Sequence, residues 1–259
     1  MGGILLGLKD IFGDDKITIM AGPCAIENED FLYETAIGVK NAGAKVLRGG
    51  AFKPRTSPFD FQGLGYPALK MLKRVSEEVG LFSVTEVLDT KDVELVASYA
   101  DILQIGSRNM GNTALLKETG KTQKPILLKR GMASTIEEWI LATEYILGEG
   151  NSNIIMCERG IRTFETATRN TLDLNAVALL KQKVDFPVIV DPSHGTGVRD
   201  LVNPMSCASI FAGADGLMIE VHCSPENALC DGKQSLTIKE FKILVNGLNK
   251  IASSIDKSI

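Results

Sequence analysis

Residues 17–25 read ITIMAGPCA and residues 188–197 read VIVDPSHGTG. In each, a short apolar run typical of a β-strand is followed at once by glycine, proline and a side chain capable of chemistry. The same arrangement recurs at 216–223, GLMIEVHC, where Glu220 ends the run. Because the carboxyl ends of parallel strands meet at one edge of a sheet or one mouth of a barrel, this recurrence decides both the fold and the place to look for a site.

Strand-like runs alternate with amphipathic stretches of helical period eight times along the chain. The strands are nearly continuous in apolar residues, as expected when both faces of a parallel sheet are covered. Eight βα units in about 240 residues predict a (β/α)8 TIM barrel, with a doubly wound open sheet as the alternative. The predicted strands are 17–23, 46–50, 81–87, 100–106, 125–130, 154–159, 187–191 and 216–222, and the predicted helices are 30–42, 64–79, 91–98, 112–119, 135–148, 171–183, 198–212 and 237–253.

Length and composition are those of an ordinary soluble globular protein. We expect one barrel domain over residues 1–259, with a short leader at 1–16. The net charge of −4 gives no reason to expect nucleic acid or an anionic membrane as partner. Five cysteines without a CxxC motif indicate a reducing compartment rather than a disulfide framework. The leader has no basic start and no cleavage-like site, and no apolar run reaches membrane-spanning length, so a cytoplasmic location is expected.

Four side chains at or near strand ends form a candidate metal site. A thiol, an imidazole and two carboxylates suit a divalent ion such as Mn, Fe, Co or Zn. Alternative interpretations stay open. A cysteine after a strand is often simply buried, and Glu220 could pair with an arginine instead of a metal. The neighbouring histidine, His222, could be the ligand in place of His194. The four candidates are Cys24, His194, Glu220 and Asp231.

Cationic side chains occupy the same kind of position after strands two, four, five and six. At a barrel mouth they would grip phosphate groups through charge-assisted hydrogen bonds. The alternative is that each pairs with an acid such as Glu86, Asp191 or Asp60. Two irregular stretches, 49–63 and 223–236, are long enough to be functional loops. The cations are Arg48, Lys53, Arg55, Arg108, Lys129 and Arg159.

An ordered set of motifs resembles one enzyme family over about residues 17–245. They are GPCAIE (22–27), LRGGAFKPRTSP (47–58), VTEVLD (84–89), IGSRNM (105–110), LLKRGM (127–132), CERGIRTFE (157–165) and DPSHGTG (191–197). The set is similar to 3-deoxy-D-arabino-heptulosonate 7-phosphate (DAHP) synthase, in its short, single-barrel branch.

The resemblance implies a metal-dependent condensation of phosphoenolpyruvate with erythrose 4-phosphate, the entry to the shikimate pathway. It places the metal on the four candidate ligands, with Cys24, His194 and Lys53 catalytic. It places phosphoenolpyruvate on Arg48, Lys53, Arg108, Lys129 and Arg159, and the sugar phosphate on the KPRT segment, including Arg55 and Thr56. Glu86 and Ser107 also lie in matching motifs. From the neighbouring cations we expect a lowered pKa for Lys53, suited to proton transfer.

Three rival functions remain. The related octulosonate synthase uses arabinose 5-phosphate but carries an asparagine-containing variant of KPRTS, so Pro54 favours the four-carbon sugar. A Schiff-base aldolase would use Lys129, and a non-catalytic barrel would only bind phosphorylated metabolites. The resemblance also implies a homo-oligomer, with four subunits as in the family. With no added regulatory domain in view, we expect aromatic amino acids to leave the rate nearly unchanged. The leader, with Ile4, Leu5, Leu6 and Leu8, is expected to cover the opposite end of the barrel.

Overall fold

The computed structural model describes residues 7–259 and contains a closed barrel of parallel strands in the order β1 to β8. This order confirms the TIM barrel and excludes the open doubly wound sheet, because β1 pairs with β8, with Met20 opposite Met218. Each strand lies within or against its predicted range. The strands are β1 Thr18–Gly22, β2 Val46–Arg48, β3 Phe82–Glu86, β4 Ile102–Ile105, β5 Ile126–Lys129, β6 Ile154–Glu158, β7 Val188–Val190 and β8 Gly216–Glu220.

Successive side chains along each strand face two different apolar layers. In β1, Ile19 and Ala21 belong to the same outer apolar layer as helix residues such as Trp139 and Phe241. Met20, between them, faces the barrel interior, where every strand contributes at least one buried side chain. The alternation follows from the two-residue period of a strand. The interior is therefore filled, and the functional cavity can lie only at an end of the barrel.

A short helix at the start of the described chain closes the N-terminal end. Helix α1, Leu8–Ile11, places Ile11, which is 1% exposed, against the interior layer, with Leu8 and Phe12 beside it. Thr18 Oγ1 donates to Ile11 O at 2.8 Å and fixes this helix to β1. The expected role of the leader is thus confirmed for Leu8, while Ile4, Leu5 and Leu6 lie outside the described residues.

The helices are α2 Glu29–Ala42, α3 Tyr66–Val79, α4 Val93–Tyr99, α5 Thr113–Lys121, α6 Ile136–Leu147, α7 Leu174–Leu180, α8 Pro192–Thr196, α9 Arg199–Phe211 and α10 Ile238–Ser253. Five of the helices that cover the barrel, α2, α5, α6, α7 and α10, start at capping side chains. Thr135 and Thr237 each form a reciprocal cap with a glutamate three residues on, which satisfies backbone N–H groups that a helix start leaves free.

Two helices differ from the sequence prediction. α7 is shorter than the predicted 171–183, because Asp173 caps it by accepting from Ala176 N at 3.2 Å. α8 lies where no helix was predicted; Pro192 begins it and Asp191 caps it. Across residues 7–259, no helix combines the length and apolarity required to cross a bilayer.

Candidate metal centre and anion-binding cavity

A cavity of about 320 Å³ opens at the end of the barrel where the strands terminate. Its walls are the segments that follow β2, β3, β4, β5, β6, β7 and β8. Eleven of the thirteen side chains predicted from the sequence line it directly, namely Arg48, Lys53, Arg55, Thr56, Glu86, Ser107, Arg108, Lys129, Arg159, His194 and Asp231. The remaining two, Cys24 and Glu220, are buried behind this wall.

The four candidate metal ligands converge on one point at the edge of this cavity. Each offers one ligand atom, and these atoms all lie within 4.8 Å of one another. Cys24 Sγ lies 3.1 Å from Asp231 Oδ2, and His194 Nε2 lies 3.1 Å from Glu220 Oε1. The candidate ligands come from positions up to 207 residues apart in the chain, so only closure of the barrel assembles them.

Helix α8 sets the orientation of His194. Asp191 Oδ1 accepts from His194 N at 2.9 Å, and Asp191 Oδ2 lies 2.7 Å from His194 Nδ1. Lys129 Nζ, 2.6 Å from the same Oδ2, anchors the carboxylate in turn. A carboxylate that holds one ring nitrogen leaves the other, Nε2, to face the ligand group, as in carboxylate–histidine–metal triads.

The donor chemistry fits a divalent transition ion. Burial lowers the pKa of His194 to about 4, although Asp191 and Glu220 oppose this, so the imidazole is neutral and Nε2 keeps its lone pair. Burial, and then the contact with Cys230, raises the pKa of Cys24, which a bound cation would reverse. A thiol, an imidazole and two carboxylates packed this closely would stabilise a positive charge at their centre.

The structure also decides between the alternatives for these residues. His222 lies outside the ligand group, with its Nε2 3.8 Å from Glu27 Oε2 and its ring edge-on to Phe31. Glu220 does pair with an arginine, since Arg48 Nη1 donates to Glu220 Oε1 at 2.9 Å. The same oxygen nonetheless lies 3.1 Å from His194 Nε2, so the ion pair and the ligand group share one carboxylate.

The predicted cations divide into paired and unpaired groups. Arg55 forms an ion pair with Asp60 at 3.1 Å, as the alternative of cation–acid pairing expected. Arg108 and Arg159, in contrast, form no ion pair with any residue from 7 to 259. Arg159 is 7% exposed, and burial lowers the pKa of its guanidinium even though Asp191 opposes the shift. A buried, unpaired guanidinium beside a cavity is typical of a site for an anion.

Glu86 does not neutralise these cations by direct pairing. Its Oε2 accepts from Gln104 Nε2 at 3.3 Å, and burial raises its pKa despite the attraction of Lys53 and Lys129. A Cβ at Gly106 would overlap Glu86 Oε1, so this glycine is required for the carboxylate to lie against β4.

The expected lowering of the pKa of Lys53 is wrong. Burial and Arg48 do act in that direction, but the interactions of Lys53 with Cys24 and Glu220 outweigh them and raise the pKa. Lys53 Nζ donates to Cys24 Sγ at 2.7 Å, so its nearest neighbour is a candidate ligand atom rather than another cation.

Sequence reasoning missed two cations and the residue that braces them. Arg162 and Arg169 line the cavity from the segment between β6 and α7, and the motif CERGIRTFE already contained the first. Arg169 Nη2 lies 3.0 Å from Asp231 Oδ1. Below this segment, the buried Arg130 donates to Glu158 Oε2 at 3.0 Å and Asp173 Oδ2 at 2.8 Å, which ties both ends of the segment together.

Comparisons with known proteins agree with this geometry. The sequence matches the DAHP synthetase I family over residues 7–256. It is 52% identical to phospho-2-dehydro-3-deoxyheptonate aldolase of Thermotoga maritima over 97% of this chain and 75% of that protein. The crystal structure of that DAHP synthase superposes with a TM-score of 0.94, at 51% identity, over 98% of this chain and 75% of its own. A 2-dehydro-3-deoxyphosphooctonate aldolase of Geobacter sulfurreducens is 30% identical over 96% of this chain and 97% of its own length.

Proposed function

The chain belongs to the DAHP synthetase I family, and on that basis we propose that it condenses phosphoenolpyruvate with erythrose 4-phosphate and water to give DAHP and inorganic phosphate. The observation that carries the proposal is one cavity in which a metal-type ligand group borders a wall of cations. Two phosphorylated substrates and a carboxylate would supply the negative charge that these cations lack.

We assign the metal to Cys24, His194, Glu220 and Asp231, and its class to Mn, Fe, Co or Zn. When bound, such an ion supplies Lewis-acid chemistry towards the aldehyde oxygen or a water molecule. Asp191 holds the imidazole in the ligating tautomer. The soft thiol in the set disfavours Mg²⁺ and Ca²⁺, which prefer oxygen ligands.

We assign phosphoenolpyruvate to the deep end of the cavity. There Arg159 is buried without a carboxylate partner, and Lys129 and Arg48 are anchored by Asp191 and Glu220. Anchored cations stay in place while the substrate is absent, so little ordering is needed when it binds. Arg108, at the same wall, completes this group.

The sugar phosphate is assigned to Arg55 and Thr56 in the loop 49–63. Arg108 Nη2 donates to Thr56 Oγ1 at 3.3 Å, so the two substrate regions meet at this contact. That contact would hold the aldehyde end of the sugar towards C3 of phosphoenolpyruvate. Ser107, which precedes Arg108, lines the same junction.

In the reaction, C3 of phosphoenolpyruvate attacks the aldehyde carbon, and the positive charge that develops at C2 is quenched by water. The resulting phosphohemiketal loses inorganic phosphate by C–O cleavage. With its raised pKa, Lys53 stays protonated and donates hydrogen bonds from Nζ, so we assign it charge stabilisation rather than proton abstraction. Glu86, whose pKa is raised by burial, is a candidate carrier of one proton in this sequence.

A phosphate-release assay tests the proposal. The chain, reconstituted with each metal of the stated class, is given phosphoenolpyruvate with erythrose 4-phosphate or with arabinose 5-phosphate. We expect release with the four-carbon sugar and little with the five-carbon one. Release with arabinose 5-phosphate alone would instead support the octulosonate reaction named for the Geobacter relative. Borohydride trapping with substrate checks for a Schiff base at Lys129.

A single catalytic domain over residues 1–259, a cytoplasmic location and a homotetramer are also proposed, on the family resemblance. Light scattering of the purified chain measures the last of these.

A further inference from the structure

The carboxylate of Asp231 is held on its outer side by Arg169. Asp231 Oδ2 faces the candidate ligand group, 3.1 Å from Cys24 Sγ and 3.7 Å from His194 Nε2. The other oxygen, Oδ1, accepts from Arg169 Nη2 at 3.0 Å, and no other group among residues 7–259 donates to it. The two oxygens thus have different surroundings, one at the ligand group and one at the arginine.

Helix α8, which carries His194, sets the position of Arg169. Arg169 N donates to Thr196 O at 2.9 Å, and the next residue, Asn170, donates from Nδ2 to His194 O at 3.0 Å. Gly197, at the end of α8, has a left-handed φ of 68°, and a Cβ there would lie 2.7 Å from Arg169 Cβ. Arg169 therefore lies directly over the end of α8 and joins the helix of one candidate ligand to the loop of another.

The backbone at Asp231 needs a contact of this kind. Asp231 lies in the irregular stretch 223–236 that follows β8, and its φ of 54° is in the left-handed region that residues other than glycine seldom adopt. Such a conformation persists where the surrounding structure holds it in place. The ion pair with Arg169 ties this part of the stretch to the end of the barrel.

Other candidate ligands have outer partners as well. Asp191 holds the ligating imidazole at its second nitrogen, and Gln234 Nε2 donates to Glu220 Oε2 at 2.7 Å. Groups in this position orient the ligands of a metal, and their replacement typically weakens metal affinity about 10–100-fold. Arg169 occupies the corresponding place beside Asp231.

We propose that Arg169 is a positioning residue for the metal, which directs Asp231 Oδ2 towards the ion and keeps the stretch 223–236 against α8. The proposal rests on the ligand assignment made under the proposed function. It gives Arg169 a different role from the cations assigned to substrate, such as Arg159, because Arg169 already has a carboxylate partner.

Arg169 has two effects on a bound cation, and they have opposite signs. Its positive charge repels a divalent ion, so charge alone predicts tighter metal binding when the arginine is removed. Its hydrogen bond orients the carboxylate of Asp231, so loss of orientation predicts weaker binding. The side chain of Arg169 is 40% exposed, and solvent screens the repulsion. We therefore expect the loss of orientation to dominate, with a net weakening of about tenfold, the lower end of the usual range.

The ion pair also forms part of a wall, which decides the replacement to be used. Arg169 and Asp231 line both the main cavity and a second cavity of about 560 Å³, which Arg199 and Lys233 also line. A small side chain at position 169 would join the two cavities and admit water to the ligand group. Arg169→Met keeps most of the bulk but removes the charge and the donors, whereas Arg169→Lys keeps the charge and can donate from Nζ.

The test measures Co²⁺ affinity rather than turnover. The full chain is freed of metal, and Co²⁺ binding at neutral pH is titrated by absorption for the native protein, Arg169→Met, Arg169→Lys and Arg162→Met. Arg169→Met should bind Co²⁺ about tenfold more weakly and with a changed absorption spectrum, because one carboxylate is displaced. Arg169→Lys should recover part of the loss. Arg162→Met, which removes another arginine of the same cavity wall, should bind Co²⁺ with the native affinity.

A double variant shows whether Arg169 acts through Asp231. In Asp231→Gly, which keeps the left-handed φ accessible, the contact is already lost, so the addition of Arg169→Met should weaken Co²⁺ binding little further. A full further loss in the double variant would overturn the inference, as would native or tighter Co²⁺ binding by Arg169→Met alone. A raised KM for either substrate with native Co²⁺ affinity would instead make Arg169 a substrate-binding residue.

Failure of the ligand assignment gives a different result. If Asp231→Gly itself binds Co²⁺ with the native affinity, the assignment fails and the inference fails with it. If Asp231→Gly weakens binding but Arg169→Met does not, only the inference fails. The phosphate-release assay on the native chain decides the proposed function separately.

Discussion

Replacement of Arg130 by methionine is expected to destabilise the protein more than any surface change near the site. The guanidinium is 4% exposed and bonds to Glu158 at 3.0 Å, Asp173 at 2.8 Å and Ser134 O at 3.1 Å. Methionine fills much of the same volume but satisfies none of these acceptors. Removal of one partner from a buried ion pair costs about 3–5 kcal/mol, because the other charge is left without compensation.

The cost should depend on pH, because Glu158 can take up a proton. It is fully buried, and burial already raises its pKa although Arg130 opposes the shift. Without Arg130 its pKa in the folded state rises further, while in the unfolded state it stays near 4.5. Below the folded pKa of Glu158 in the native chain, this carboxyl is protonated in both folded proteins and the deficit is smallest. Above it the folded native protein releases the proton first, so the deficit grows by up to about 1.4 kcal/mol per pH unit until the higher folded pKa of the variant is passed.

Urea unfolding of Arg130→Met and the native chain at pH 5, 6, 7 and 8 measures this difference. Arg162→Met is the matched control, since Arg162 is exposed and forms no ion pair in the described structure, and it should change stability by less than about 0.5 kcal/mol. Arg130→Met combined with Glu158→Gln should recover part of the loss. A deficit below about 1 kcal/mol, or one that does not change with pH, would refute the reasoning.

Three further outcomes are expected. Cys24→Ser should lose bound metal while keeping the fold, and Asp191→Asn should weaken metal affinity about 10–100-fold because the imidazole of His194 is released. Atomic absorption measures the metal content of both variants. An unchanged metal content in both would contradict the assignment of the metal ligands. Arg55→Ala should raise the KM for erythrose 4-phosphate roughly ten- to hundred-fold, and Arg159→Ala should raise the KM for phosphoenolpyruvate, because a charge-assisted hydrogen bond to phosphate contributes about 1.5–3 kcal/mol. Steady-state kinetics measure both values. If both variants impair the same substrate, the division of the cavity between the two substrates is wrong. Ile11→Ala should lower the free energy of unfolding by about 2–5 kcal/mol, because it leaves a cavity at the N-terminal end of the barrel. An unchanged midpoint of urea unfolding would show that the packing of α1 does not contribute to stability.

The strand ends were predictable because the signal is local. Parallel strands buried on both faces require continuous apolar runs, and the eight runs are visible in the sequence without knowledge of contacts. Once the barrel is assumed, the residue after each run must face the mouth, which is how Arg48, Lys129 and Glu220 were found. These three residues followed from topology, whereas Thr56, Ser107 and Glu86 were placed in the site by the family resemblance.

Contacts within the mouth were not predictable in the same way. Arg130 donates to Glu158 and Asp173, and so joins the ends of β5 and β6 to the start of α7. No spacing in the sequence indicates these contacts. The contact of Cys24 with Cys230 depends on where an irregular stretch returns to the barrel. Such distances are set by loop closure, for which composition and periodicity carry no information.

Lys53 shows why a list of charges does not give an electrostatic environment. Counted along the sequence, cations outnumber the acids assigned to the mouth, and that count predicted a lowered pKa. The interaction of two charges falls with their separation, so the nearest groups decide the sign. Lys53 Nζ lies 2.7 Å from Cys24 Sγ and 4.0 Å from Asp231 Oδ2, which places the amine against the ligand group and away from the unpaired arginines. A bound divalent ion would add positive charge to that same group and weaken this attraction. Cation occupancy and the protonation of Lys53 are therefore coupled, and both must be fixed before its role in a proton transfer can be assigned.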